Sequence, residues 1–176
     1  MTGPLEPLQS RIPHYASDLK SNLESVLCQT ELTPRQTFSI ALASAYACGN
    51  KLLIESLLEG AAQHLSPEGI TGAKAATAIM GMTNVYFRFS HSIGDDYKAI
   101  PARLRMNITR THGADPLDFE FCCLAVSAIN GCEACMAAHE RALRRRVVPK
   151  EAIAAAVRIA AVIRAVAAVL SMEQIS

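Results

Sequence analysis

Start signals for helices recur along the sequence and restrict the chain to a helical fold. Thr33, Pro34 and Gln36 have the pattern of a capping box with proline at the first helical position. Similar signals are Ser66-Pro67, Asp115-Pro116 and Pro149. The stretches between these signals are rich in Ala and Leu at helical spacing and contain no convincing period-two pattern. The sequence therefore predicts an all-α protein.

The spacing of these signals predicts eight helices in one domain that spans residues 1–176. We expect helices near 13–28, 34–48, 50–64, 67–82, 101–109, 116–129, 132–146 and 149–171. Residues 1–11 and the segment "SHSIGDDYKAIP" are predicted to be loop or irregular structure. Aromatic residues make up only 5% of the chain. The core must then be built from smaller aliphatic side chains, which favours closely packed helices.

A weak internal repeat divides the chain into two similar parts. A shift that places Phe38 on Phe121 also places Ile70 on Ile153. Because Ala-rich helices match readily by chance, duplication and coincidence both explain these matches. Under duplication, pseudo-repeat halves of about 30–90 and 113–173 would each form a three-helix unit within the single domain.

The charge and the apolar segments exclude two classes of partner. A formal net charge of +1 is too close to neutral to suggest nucleic acid or an anionic membrane. The most apolar segment, "AIAAAVRIAAVIRAVAAVLSM", is interrupted by Arg158 and Arg164 well short of a membrane-spanning length. We expect it to be a buried helix of a soluble, cytoplasmic protein. Thiols are normally reduced in that compartment, so six cysteines do not imply structural disulfides.

The segment "INGCEACMAAHE" holds the strongest candidate for chemistry. The preceding helix should end at Asn130-Gly131, and the next helix should begin near Cys132, where its first turn favours a thiolate. Cys132, Cys135 and His139 are spaced i, i+3 and i+7, which predicts that they share one face of that helix. A histidine one turn beyond a Cys-x-x-Cys pair can exchange protons with it, as thiol–disulfide exchange requires.

Three interpretations of this cluster remain at this point. Redox chemistry is favoured by the helix start and by the adjacent histidine. Zinc is possible, because Cys132, Cys135 and His139 with a carboxylate would make four ligands. The third interpretation is two buried cysteines and a solvated histidine. Haem attachment is excluded, because Met136 and not histidine follows the second cysteine.

Glu120 is a carboxylate within a mostly apolar segment. A charge there is costly without a partner, so Glu120 either has a function or lies at a boundary against solvent or an arginine. If the two helices pack antiparallel across Asn130-Gly131, Glu120 can reach His139 and set its tautomer. The four remaining cysteines are expected to be buried and inert: Cys28, Cys48, Cys122 and Cys123.

The segment "FEFCCLAVSAINGCEACMAAHE" resembles the active-site segment of the AhpD/carboxymuconolactone decarboxylase family. The resemblance extends to "IPHYASDLKSNL", "TAIMGMTNVYFRF" and "LRMNI", and so covers most of the chain. It implies an all-helical AhpD-like fold, usually a homotrimer, with an antioxidant function. The resemblance implies that the protein reduces the disulfide of a partner peroxiredoxin (AhpC) and has some activity on alkyl hydroperoxides, and that a lipoyl-type dithiol donor reduces its own disulfide, as in some bacteria. Neither reaction needs a metal, a flavin or another cofactor.

The resemblance also implies a role for each residue of the motif. Cys135 would be the thiolate that attacks peroxide and becomes a sulfenic acid, and Cys132 would resolve it and supply a proton. His139 and Glu120 would form the proton relay. This assignment conflicts with the helix dipole, which favours Cys132 as the more acidic thiol. Glu133, between the cysteines, should oppose thiolate formation, whereas some members have a histidine just before the second cysteine.

Two other functions fit parts of the pattern. One is a zinc-binding or thiol-sensing protein that uses Cys132, Cys135 and His139. The other is ring-opening or decarboxylation, as in the carboxymuconolactone decarboxylases. Those relatives generally lack the paired cysteines, so the pair favours the redox function.

Overall fold

The computed structural model describes residues 6–174, which form helices joined by turns and one longer irregular segment. The helices are α1 (Glu6–Gln9), α2 (Ser17–Leu27), α3 (Pro34–Cys48), α4 (Lys51–Ala61), α5 (Pro67–Ile93), α6 (Asp95–Lys98), α7 (Ile108–Thr111), α8 (Pro116–Ile129), α9 (Glu133–Arg145) and α10 (Lys150–Glu173). A short 3-10 helix, His14–Ala16, precedes α2. Residues 6–174 contain no strand, and the predicted all-α fold is confirmed.

The predicted start signals cap the long helices. Thr33 Oγ1 accepts a hydrogen bond from the Gln36 backbone N–H at 3.2 Å, and the Gln36 side chain accepts one from the Thr33 N–H at 3.0 Å. Ser66 caps α5 and Asp115 caps α8 in a similar way. Each cap satisfies backbone donors that the first helical turn leaves unpaired. Local sequence therefore determines where these helices begin.

Helix α8 lies at the centre of the core. It packs against α3, α5, α9 and α10, and its residues from Phe119 to Ser127 are buried except Glu120. A helix that is apolar on nearly every side requires neighbours on every side. The single acidic exception on this stretch therefore needs a polar partner within the protein.

Helix α10 is the apolar segment for which a buried helix was predicted. Ile159, Ile163 and Val166 are fully buried, and the helix packs against α3 and α8. In residues 6–174 it is the one helix that is long and apolar enough to cross a membrane, yet more than half of that stretch is buried in the protein. This is the behaviour of a core helix.

Several predicted boundaries were wrong. Residues 6–9, which the sequence predicted to be loop or irregular structure, form α1, and the predicted irregular segment 90–101 contains the end of α5 and all of α6. Helix α5 continues to Ile93 instead of ending near residue 82, and it ends at Gly94, whose φ of 147° does not fit a right-handed helix. The helix predicted at 101–109 is absent from residues 101–106, and only the short α7 forms. Arg103 has a φ of 52°, which a right-handed helix cannot accommodate.

The helix order supports the predicted internal repeat. The shift that places Phe38 on Phe121 brings the first residues of α3, α4 and α5 onto, or next to, the first residues of α8, α9 and α10. Duplication with halves of about 30–90 and 113–173 remains a prediction. Under it, Gly49, Leu52 and Ser56 occupy the positions that correspond to Cys132, Cys135 and His139.

Asp118, at the start of α8, destabilises the folded state in a pH-dependent way. Its Oδ2 lies 3.2 Å from the Arg35 guanidinium, which also contacts Asp115 at 3.3 Å. Its other carboxylate oxygen, Oδ1, is buried without a hydrogen-bond partner in the described chain. Burial raises the pKa of Asp118 from 3.8 to about 6, against the opposing effect of Arg35. Between these two pH values the folded state binds the extra proton, so this group lowers stability as pH rises.

Replacing this carboxyl should therefore flatten the dependence of stability on pH. We expect Asp118→Asn to gain about 1 kcal/mol of unfolding free energy relative to wild type between pH 5 and pH 7.5. Urea unfolding at both pH values measures this change. Asp96→Asn, at an exposed position, is the matched control. If the unfolding free energies of Asp118→Asn and wild type changed by the same amount between the two pH values, the raised pKa of Asp118 would be contradicted.

Gly72 marks a close approach between α5 and the segment before α8. A Cβ at Gly72 would lie 2.4 Å from Ala114 Cβ, whereas a Cβ at Gly81 of the same helix would have no other atom within 4 Å. Gly72→Ala should lower the unfolding free energy by about 1–3 kcal/mol through overpacking. Gly81→Ala should raise it by about 0.5–1 kcal/mol through helix propensity. Chemical denaturation of both variants tests this pair, and equal effects would refute the close contact.

Candidate active site

A tight turn connects α8 to α9 and places the cysteine pair. Gly131 adopts a φ of 66°, and its N–H donates to the Ala128 carbonyl at 3.2 Å. The Cys132 N–H donates to the Ser127 carbonyl at 3.0 Å. These two bonds form a Schellman motif, which satisfies the last carbonyls of α8 and reverses the chain. The turn predicted at Asn130-Gly131 is confirmed.

The two cysteines form a disulfide at the start of α9. Cys132 is the N-cap residue and has an extended backbone, so the helix itself begins at Glu133. Cys135 is the third helical residue, and the two Cα atoms are 5.3 Å apart. The Cys132 carbonyl accepts the first helical hydrogen bond, from the Met136 N–H at 2.9 Å, so Cys132 adjoins the first turn of α9 beside Cys135.

The two sulfur-bearing residues differ in their access to a cavity. Cys132 is completely buried, whereas Cys135 is 7% exposed and contributes to the wall of a 380 Å³ cavity. This cavity lies between α5, α9 and the segment that precedes α8. Its lining residues are Met80, Thr83, Phe87, His91, Met106, Thr109, Ala134, Cys135, Ala138, His139 and Arg141. A molecule in the cavity meets Cys135 first, which favours Cys135 over Cys132 as the attacking thiol.

Glu120 and His139 form the predicted contact across the antiparallel helices α8 and α9. The distance from His139 Nδ1 to Glu120 Oε1 is 2.7 Å, and about a fifth of each side chain is exposed. An ionised carboxylate only accepts hydrogen bonds, so Nδ1 carries the hydrogen in this pair. Any proton that His139 exchanges with a reactant must then move through Nε2. Glu120 thus both satisfies its own charge within the core and orients the imidazole.

A hydrogen-bond network from α5 holds the turn at Asn130-Gly131, and the sequence did not predict it. Asn84 on α5 donates to Ser127 Oγ at 3.0 Å and accepts from the Asn130 side chain at 3.0 Å. Arg88, one helical turn later, donates to the Asn130 carbonyl at 2.6 Å. Met80, one turn earlier, contacts His139 through its sulfur. The spacing of Met80, Asn84 and Arg88 within "TAIMGMTNVYFRF" was a usable signal, because such residues share one face of a helix.

The other cysteines only partly match the prediction. Cys122 and Cys123 are buried, and burial raises the pKa of each thiol, as expected for inert residues. Cys28 is exposed and Cys48 is half-buried, so the prediction was wrong for Cys28. Cys28 follows the last residue of α2, beyond the part of that helix that packs into the core.

The described residues do not form the ligand set that the zinc interpretation requires. Among residues 6–174, no group of three or more His, Cys, Asp or Glu side chains is placed to hold a metal ion. Cys132 and Cys135 bind each other, and His139 Nδ1 binds Glu120. The contacts of these four side chains are those of a thiol–disulfide centre with an oriented histidine.

Comparison with known proteins supports the same chemistry. The sequence profile of the carboxymuconolactone decarboxylase family matches residues 95–175. A protein of Solibacter usitatus named alkyl hydroperoxide reductase AhpD is 50% identical over 170 residues, which cover 96% of each chain. Proteins with the same name in Rhodospirillum centenum and Brucella abortus are 51% and 45% identical over 96% and 94% of this chain and 91% and 95% of theirs.

Removing Asn84 should loosen the turn that carries the cysteines. Asn84→Ala leaves the buried Ser127 hydroxyl and the Asn130 amide without their partner, so we expect a loss of about 2 kcal/mol in unfolding free energy. Asn22→Ala, at an exposed position on α2, is the matched control and should change it by less than about 0.5 kcal/mol. Urea denaturation compares the two variants. Equal stability would show that the network contributes nothing.

Proposed function

The chain belongs to the AhpD family of alkyl hydroperoxide reductases, and we propose that it reduces organic hydroperoxides through the Cys132–Cys135 pair. One observation carries this proposal. Cys135 lines a 380 Å³ cavity together with His139, while Cys132 is completely buried and bonded to Cys135. An attacking thiol needs access to substrate, and a resolving thiol needs only access to the first sulfur.

In the first step, the Cys135 thiolate attacks the distal oxygen of the hydroperoxide. The O–O bond breaks, and the alcohol departs with a proton that His139 supplies through Nε2. Glu120, hydrogen-bonded to Nδ1, stabilises the protonated imidazole before this transfer. The position of Cys135 in the first turn of α9 favours its thiolate through the positive end of the helix dipole. The product at Cys135 is a sulfenic acid.

In the second step, the Cys132 thiol attacks the sulfenic sulfur of Cys135. An S–S bond forms and water leaves, which restores the disulfide. In the closed disulfide the two Cα atoms are 5.3 Å apart, within the range that disulfides require. The electrons come from the two thiols alone, and neither step requires a metal or a flavin.

The cycle closes when an external dithiol reduces this disulfide. The accessible sulfur of Cys135 is the point of attack, which releases Cys132 as the leaving thiolate. A lipoyl-type dithiol donor fits this step because a slender chain can enter the cavity. In the reductase role, the reduced pair attacks the disulfide of a partner peroxiredoxin, AhpC. A cytoplasmic location suits both exchanges, since that compartment keeps dithiols reduced.

We further propose that the protein is a homotrimer. Exposed apolar side chains follow one face of the second half of α5 and continue into the next segment: Val85, Phe89, Ile93, Tyr97 and Ile100. Phe89 and Tyr97 contact each other edge to face, with ring centroids 5.2 Å apart. A contiguous apolar surface of this kind is typical of a subunit interface.

Substitution of Cys132 or Cys135 should remove turnover, because the first variant lacks the resolving thiol and the second lacks the attacking thiol. We expect Cys132→Ser and Cys135→Ser each to lower peroxide turnover with dihydrolipoamide by at least about a hundredfold. After peroxide treatment, a sulfenic acid trapped with dimedone should appear at Cys135 in Cys132→Ser. Cys135→Ser should give none at Cys132, and mass spectrometry of the labelled peptides measures both results.

Cys28→Ser is the matched control for these variants. Cys28 is exposed at the end of α2 and does not line the cavity, so its removal should leave turnover unchanged. Turnover that survives in Cys135→Ser, or a sulfenic acid found on Cys132 instead, would overturn the assigned roles.

A further inference from the structure

Four polar groups converge on the sulfur of Met80. The sulfur lies 3.3 Å from His139 Nε2 and 3.4 Å from Ser127 Oγ. Asn84 Nδ2 and Thr83 Oγ1 lie 3.7 and 3.8 Å from the same atom. Met80 is only 5% exposed, yet it lines the cavity that Cys135 also lines. This buried thioether therefore has a polar environment and contact with the space that substrate would enter.

A thioether is stabilised only weakly by such a polar environment. Sulfur in methionine is a weak acceptor, so the hydrogens directed at Met80 gain little from it. A sulfoxide oxygen is a much stronger acceptor. Oxidation of a buried methionine usually disrupts an apolar core, because the new oxygen finds no donor there. At Met80 the donors from Ser127 and Asn84 are already in place.

We propose that Met80 is a second site of hydroperoxide reduction, which is oxidised to the sulfoxide when substrate enters while the Cys132–Cys135 disulfide is closed. The proposal rests on the proposed function in one respect, namely that hydroperoxides enter this cavity. In the disulfide state neither cysteine is a nucleophile. The Met80 sulfur is then the remaining soft nucleophile next to the proton donor of the site.

The step balances without another reactant. A lone pair of the Met80 sulfur attacks the terminal oxygen of the hydroperoxide, the O–O bond breaks, and an S–O bond forms. His139 Nε2 gives a proton to the departing alkoxide, which leaves as the alcohol. The hydroxysulfonium returns a proton to Nε2 and becomes the sulfoxide. Sulfur loses two electrons and the peroxide gains them.

The product acts on the relay of the dithiol cycle. The sulfoxide oxygen accepts the Nε2–H of His139 and holds the proton that the Cys135 reaction requires. Peroxide therefore lowers the turnover of the dithiol cycle when the external dithiol reduces the disulfide more slowly than peroxide forms it. The closed disulfide also protects Cys135 from further oxidation during such an excess.

The first test is the order in which methionines are oxidised. Protein in the disulfide form is treated with tert-butyl hydroperoxide without dithiol, and peptide mass spectrometry follows Met80, Met106 and Met172. Met172 is 51% exposed and Met106, in the same cavity, is 36% exposed. Exposure alone would oxidise these two first, whereas we expect Met80 to be oxidised before both. If Met80 stays a thioether while Met172 is oxidised, the proposal fails.

A matched variant tests the contribution of His139. In His139→Gln, oxidation of Met80 should slow by about tenfold or more, because the general acid is lost, while Met172 should be oxidised at its usual rate. An unchanged rate at Met80 would refute acid assistance. Neither measurement requires turnover, so the result is independent of the cysteine variants that test the dithiol cycle.

The last test links the modification to the reaction. After the peroxide is removed, turnover with dihydrolipoamide should fall in proportion to the fraction of Met80 sulfoxide. Met80→Leu should keep the turnover that it had before the same treatment, whatever that initial value is. Full oxidation of Met80 in the wild type without a fall in turnover would overturn the proposed effect on the relay.

Discussion

The reversal of the chain at Asn130-Gly131 is the constraint on which the site depends. It lays α9 antiparallel along α8, so that the acidic exception of a buried helix meets a histidine on the next one. The same reversal leaves Cys132 just outside α9, with its sulfur bonded to Cys135 in the first helical turn. A glycine with positive φ makes the reversal possible at low cost, since other residues are strained in that conformation.

Helix α5 supports the site from the opposite side. Its residues Asn84 and Arg88 bond to the turn, and Met80 contacts the imidazole of His139. The bond from Asn84 to Ser127 is buried and holds geometry well, because an alternative arrangement would leave a buried polar group unpaired, whereas the bond from Arg88 is exposed. Glu120, Cys135 and His139 are therefore located on helices, and the irregular segment at 99–107 contributes to the cavity wall only through Met106.

Whether a sequence prediction was right depended on how far apart in the chain the interacting residues lie. Thr33, Ser66 and Asp115 act on backbone atoms two or three residues away, so their helix starts were predictable. The helix expected at 101–109 was wrong, because residues 101–106 are irregular, with Arg103 at a φ of 52°, and only the short α7 forms. The Glu120–His139 contact was predictable because one short turn separates the two helices that carry it.

The sequence by itself determined the helical class, the starts of the long helices, the turn before the cysteine pair and the motif that identifies the family. Each follows from backbone hydrogen bonding and side-chain spacing within a few residues. Tertiary structure alone decided that Cys135 lines the cavity while Cys132 is buried, and that polar groups from three helices surround the sulfur of Met80. Met80 and His139 are far apart in the chain, and only the packing of α5 against α8 and α9 brings them together.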